Sequence, residues 1–221
     1  MLATKNQPTA SRTKPLRDLV TGKPLPSLEM TESQFVEWAT EKVRAEWIDG
    51  RVILMSPVTV EHDDLMSFIS SVLRGIVEAE DWGTVHASEV LVRLASQRAQ
   101  RLPDLKLVAK ARQSMIQNAV IDGPPDAIFE IVSKDSIARD YRDKYNQYEA
   151  AGVREYWIID PLSKKVELHA LHGKKYKPVT ETDGWLRSVV LPKFALQPER
   201  IFKRPLPPLI KTLKELGVKL N

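Results

Sequence analysis

Residues 127–132 read Ala-Ile-Phe-Glu-Ile-Val, five apolar residues around one acid. With Asp126 in front, this short run has the length and composition of a strand passing through a core. Glu130 lies in its middle. An ionised carboxylate left alone in such a place carries a heavy desolvation penalty, so it must be paired or give up its charge. A basic side chain, backbone donors or a metal ion are the partners chemistry allows.

The surrounding pattern supplies a sheet and its helices. Thr31 followed by Gln34 forms a capping-box signature, and Phe35, Trp38 and Val43 predict a short amphipathic helix. "EWIDGRVILM" predicts a hairpin turning at Asp49-Gly50. From Val60 to about Asp81, apolar residues recur at helical spacing through Leu65, Phe68, Ile69, Val72, Leu73, Ile76 and Val77. "TVHASEVLVRL" alternates as one strand, "DLKLVAK" follows as another, and residues 110–125 read as an open loop.

Beyond the central strand, "ARDYRDKYNQYEAAG" predicts a helix closed by Gly152, with Tyr141, Tyr145 and Tyr148 as its buried stripe. "EYWIID" is a strand, residues 165–179 form a hairpin around His172-Gly173, and "PPLIKTLKELGVKL" is a terminal helix. Helices interleaved with strands in this order predict a mixed sheet with helices packed on it, of α/β or α+β type.

Composition narrows the function classes. The 221 residues include no cysteine, which excludes disulfides and thiolate metal sites and makes the cytoplasm the expected compartment. No apolar run approaches a membrane span, so no membrane partner is expected. Net charge is only +4, but basic residues gather in residues 1–27, read as a flexible arm, and in the tail from residue 205 onward together with Lys203 and Arg204. Such arms can screen phosphates or simply aid solubility. The domain proper is expected over residues 28–204, with a helical tail at 205–221.

A second acid, Asp104, follows Pro103 at the head of "DLKLVAK". If that strand pairs with 126–132, Asp104 and Glu130 reach one end of the sheet together. Two hard oxygen ligands there suit Mg²⁺ or Mn²⁺. An ammonium completes the set, from Lys134 on the Glu130 face or from Lys144 on the next helix. Asp140, four residues before Lys144, would otherwise make only a weak surface pair with it. Two acids, a lysine and a divalent ion can hydrolyse a phosphodiester. There is no Gly-rich phosphate loop, which disfavours nucleoside triphosphates as substrates.

Four segments carry a family resemblance: "AEWIDGRVILMSPVTVEH" (45–62), "RLPDLKLV" (101–108), "AIFEIVSKDSIARDYRDKYNQYEAAGVREYWIIDP" (127–161) and "LPKFALQPERIF" (191–202). Together they resemble the PD-(D/E)XK nuclease superfamily, and within it the Uma2-type endonucleases. The resemblance implies a restriction-endonuclease-like mixed β-sheet flanked by helices. It implies Asp104 and Glu130 as metal ligands, the Ile131 carbonyl as a third, and Lys144 as the catalytic lysine. That lysine would replace the one expected two residues after Glu130, where this chain has Val132. Glu46 would be an auxiliary acid, and His62 a phosphate contact or proton carrier. The implied activity is Mg²⁺- or Mn²⁺-dependent DNA cleavage. Cutting both strands needs two sites, so a homodimer is the expected assembly. A nuclease fold that only binds nucleic acid, or a phosphohydrolase of small molecules, are the competing readings.

Overall fold

The structure is a computed structural model that describes residues 28–39, 43–87, 89–118 and 120–219. The basic arm expected at residues 1–27 lies outside them.

Helix α1 (Glu32–Trp38) starts at the expected box. Thr31 accepts from the Gln34 N–H and the Gln34 side chain accepts from the Thr31 N–H. The helix stops at Trp38, and Val43 joins its apolar cluster from the following loop. Strands β1 (Ala45–Ile48) and β2 (Arg51–Leu54) pair through Asp49 and Gly50. Both turn residues have positive φ (47° and 90°), the backbone that a two-residue hairpin needs. Helix α2 (Val60–Ala79) is capped by Thr59 and buries the apolar face that its spacing predicts.

The strand expected over "TVHASEVLVRL" is two strands, β3 (Gly83–Ala87) and β4 (Leu91–Leu94), which enter different sheets. Strands β5 (Ala99–Arg101) and β6 (Leu105–Ala109) follow. Residues 110–125 are not an open loop: a 3₁₀ turn leads into β7 (Ile116–Gln117) and β8 (Val120–Asp122), and β8 pairs in parallel with β4. The strands there are two and three residues long, too short for an alternation signal to develop. Strand β9 (Ala127–Ile131) carries Glu130. A π-helical segment, Arg139–Lys144, runs into α3 (Tyr145–Ala151), which ends on left-handed Gly152. The remaining elements are β10 (Glu155–Asp160), β11 (Lys165–His172), β12 (Lys175–Pro178), β13 (Leu186–Arg187), β14 (Ala195–Leu196), α4 (Pro198–Ile201) and α5 (Leu209–Glu215).

Two six-stranded sheets result. The first runs β12-β11-β10-β9-β6-β3, with β9 and β10 parallel and the other pairs antiparallel. The second runs β2-β1-β5-β4-β8-β7. Alternation along the first sheet sorts its core. Leu105, Leu107, Phe129, Ile131 and Trp157 face α2 and α5, while Val108, Ile128, Val132, Tyr156 and Ile158 face α3 and the second sheet. A strand covered on both sides is apolar on both sides, which is why β9 reads as a continuous run. Glu130 shares parity with Ile128 and Val132 and so belongs to the α3 side. Among the described residues no helix is long and apolar enough to cross a membrane.

Candidate active site

The parallel strands β9 and β10 both end at one cleft of about 420 Å³. Its walls include Ile131–Ser133, Pro161-Leu162, the start of α2 and the loop before it, and the segment leading to Lys144. Crevices outside the carboxyl ends of parallel strands are the usual ligand sites of α/β sheets.

Asp104 and Glu130 both line this cleft. The antiparallel register of β6 and β9 sets Leu105 opposite Phe129, and one step further out brings Asp104 to the level of Glu130. Asp104 Oδ2 accepts the Ile131 N–H at 2.7 Å, the hydrogen bond that the ladder would otherwise have made with backbone. His62 Nε2 lies 3.2 Å from the same oxygen. The His62 N–H is itself capped by Thr59, so the start of α2 fixes the imidazole against the aspartate. One residue's N–H and C=O leave a strand on the same edge, so the Ile131 carbonyl faces the Asp104 side.

Glu130 answers the question its position raises. Lys144 Nζ lies 2.8 Å from Oε2, and the Tyr148 hydroxyl donates to Oε1 at 2.8 Å. Lys144 also lies 3.0 Å from Asp140 and 3.9 Å from Glu46, with 2% of its side chain exposed. The expected weak surface pair between Asp140 and Lys144 is thus a buried one. Its cause is the π-helical segment, whose wider turn shifts the buried stripe to Asp140, Lys144 and Tyr148, leaving Tyr141 and Tyr145 half-buried. Lys134, the other candidate ammonium, stands exposed at the rim.

Glu46 is fully buried behind this group and does not line the cleft. It is held by Arg101 at 2.7 Å and by the Leu102 N–H at 3.1 Å. Arg101 is equally buried, and Gln147 accepts from its Nε at 2.8 Å. Neither Arg101 nor Gln147 stands out in the sequence. The signal available was Arg101 closing β5 just ahead of the Pro103-Asp104 turn. Lys106 was also missed. It is buried two residues past Asp104, and its ammonium donates to the Pro103 and Ala87 carbonyls.

The charges are unequally balanced. Burial would raise the Glu46 carboxyl, but Arg101 and Lys144 hold it at about 2. Burial pushes Glu130 up to about 8. Lys144 pulls it down, while Asp140, Asp104 and Glu46 add to the rise. Burial works against the Lys144 charge, yet Asp140, Glu130 and Glu46 together keep its pKa above the ordinary lysine value. Burial lowers Lys106 to about 7. Three acids, Asp140, Glu130 and Glu46, therefore surround the firmly charged Lys144, and Glu46 and Glu130 also act on Arg101. Among the described residues no three His, Cys, Asp or Glu side chains are placed to hold a metal ion by themselves.

The fold and this cleft define a restriction-endonuclease-like α/β protein. The Uma2 family model, described as "Putative restriction endonuclease", matches residues 32–199, and the chain belongs to that family. Among solved structures it is similar to a "putative nuclease belonging to DUF820" from Anabaena variabilis. That match has a TM-score of 0.67 and 17% identity, and covers 78% of this chain and 97% of the other. The comparison with curated proteins returned no match.

Proposed function

We propose that this protein is a metal-dependent endonuclease that hydrolyses DNA phosphodiester bonds. The observation that carries the reading is the Lys144 ammonium 2.8 Å from Glu130 in a cleft that Asp104 shares. Family membership and the nuclease named in the structural match support a nuclease function in general.

The donor set fits Mg²⁺ or Mn²⁺. Such ions commonly use one or two carboxylates and complete their shell with water and substrate phosphate, so a third protein acid is not required. Each carboxylate oxygen of Glu130 has two lone pairs, and the tyrosine and lysine each occupy one. Asp104, Glu130 and the Ile131 carbonyl would hold the ion. When bound, it would lower the pKa of a coordinated water and polarise the phosphoryl group.

The chain's own groups then have distinct tasks. His62 and the Ile131 N–H orient Asp104. Tyr148 orients Glu130. Lys144, kept charged by three acids, balances negative charge developing on the phosphate. Glu46 is a positioning residue, holding Arg101 and Lys144 from behind. Two such sites, and so a homodimer, would be needed to cut both strands of a duplex.

The test is cleavage of supercoiled and linear DNA with Mg²⁺, Mn²⁺ or chelator, using the wild type and Glu130→Gln. Cleavage should require the metal and vanish in the variant while its unfolding transition remains cooperative. Cleavage that persists in chelator, or an equally active variant, overturns the proposal. DNA binding without cleavage under any metal would identify a nuclease fold that only binds.

A further inference from the structure

The cleft carries positive charge that the catalytic group does not use. Lys144 is committed to Glu130 and Asp140, and Arg44, another lining residue, lies 3.4 Å from Glu89. Two further cations, Lys134 and Arg139, line the segment between β9 and the π-helical turn. Neither belongs to an ion pair among the described residues. Arg139 is the more telling. It is half-buried, and its Nε is shut off from water with no hydrogen-bond partner among those residues. A guanidinium donor enclosed and unmatched is costly, and the residue that carries it lines the cleft. The planar fork of a guanidinium matches a phosphate, and in a cleft already floored by carboxylates a free anion gains little except beside these cations.

We propose that Arg139, assisted by Lys134, grips a backbone phosphate neighbouring the scissile one, so that the cleft selects a polynucleotide over a single phosphate ester. The inference rests on the nuclease reading and assigns two residues of the same site to a second phosphate. Lys144 answers the charge of the reacting phosphate, whereas Arg139 answers a second phosphate. A small phosphodiester lacks the second group and a nucleic-acid backbone always offers it.

The test is the salt dependence of binding to a short DNA duplex in Ca²⁺, compared for wild type, Arg139→Gln, Arg139→Lys and Lys134→Gln. Each cation removed from a phosphate should lower the slope of log affinity against log salt by about 1. Arg139→Gln should show that drop and bind roughly tenfold more weakly at moderate salt, and Arg139→Lys should restore most of the slope. If Arg139→Gln fails to fold, exposed Lys134→Gln carries the test and should shift the slope in the same direction. An unchanged slope in the folded Gln variants overturns the grip, whatever the cleavage result. A wild type that never cuts DNA but whose slope falls in Arg139→Gln keeps the grip and removes the hydrolase reading.

Discussion

Lys144 and Glu130 meet at 2.8 Å with almost no exposure to water, the ammonium arriving from a π-helical turn and the carboxylate from the middle of a strand. Removing one member of a buried pair leaves the other uncompensated, which typically costs about 3–5 kcal/mol. Lys144→Met should lose stability on that scale in urea unfolding at pH 7, and lose DNA cleavage. The deficit should grow above about pH 8, where Glu130 ionises beside Lys144 in the wild type but keeps its proton in the variant. A variant as stable as wild type at pH 7 would contradict the pairing.

Tyr148→Phe removes one hydrogen bond and leaves the ring packed edge-on to Tyr156. A hydrogen bond to a neutral acceptor contributes about 0.5–1.5 kcal/mol, and with Glu130 held up to about 8 a loss in that range is expected at neutral pH. Because the phenol favours the ionised form, Glu130 should rise further. The acid limb of the pH profile for kcat/KM should move to higher pH, a shift that a purely structural loss does not produce.

Glu46 gives the acid side of the stability curve. Its folded pKa of about 2 lies below the ordinary value of 4.5. The stabilisation is therefore complete above about pH 4.5 and is lost as pH falls toward 2, amounting to roughly 3 kcal/mol. Glu46→Gln should be less stable at neutral pH because Arg101 loses its buried counter-charge. Its stability should also fall less steeply between pH 5 and 3. Parallel wild-type and variant curves in urea titrations would refute this assignment.

Asp104→Asn keeps an oxygen to accept the Ile131 N–H and so should fold. It loses the negative charge a divalent cation needs. Isothermal titration with Mn²⁺ should show affinity at least tenfold weaker than wild type, and cleavage should fall in step. Equal affinity would place the ion elsewhere.

Much of this arrangement was legible in the chain. The capping box at Thr31, the Asp49-Gly50 turn, the long apolar stripe of α2 and Gly152 each act through neighbours a few residues away, so the sequence displays them. Glu130 stood out because a carboxylate inside an apolar strand contradicts its surroundings. Arg101, Lys106 and the burial of Glu46 did not stand out. Each depends on a partner on another strand or helix, or on backbone carbonyls freed by a turn, and no local pattern reports that. Residues 110–125 hid β7 and β8 because those strands are too short to show a period. The stripe Asp140, Lys144 and Tyr148 was missed because helical counting assumes one pitch, and this segment changes pitch partway.

That change of pitch decides which side chain arrives at the strand carboxylate. It lets an ammonium from a helix meet Glu130 while Val132, two residues after the glutamate, stays packed into the core. Counting residues onward from the glutamate passes over this pairing, whereas looking outward from the strand carboxylate to the nearest enclosed cation finds it.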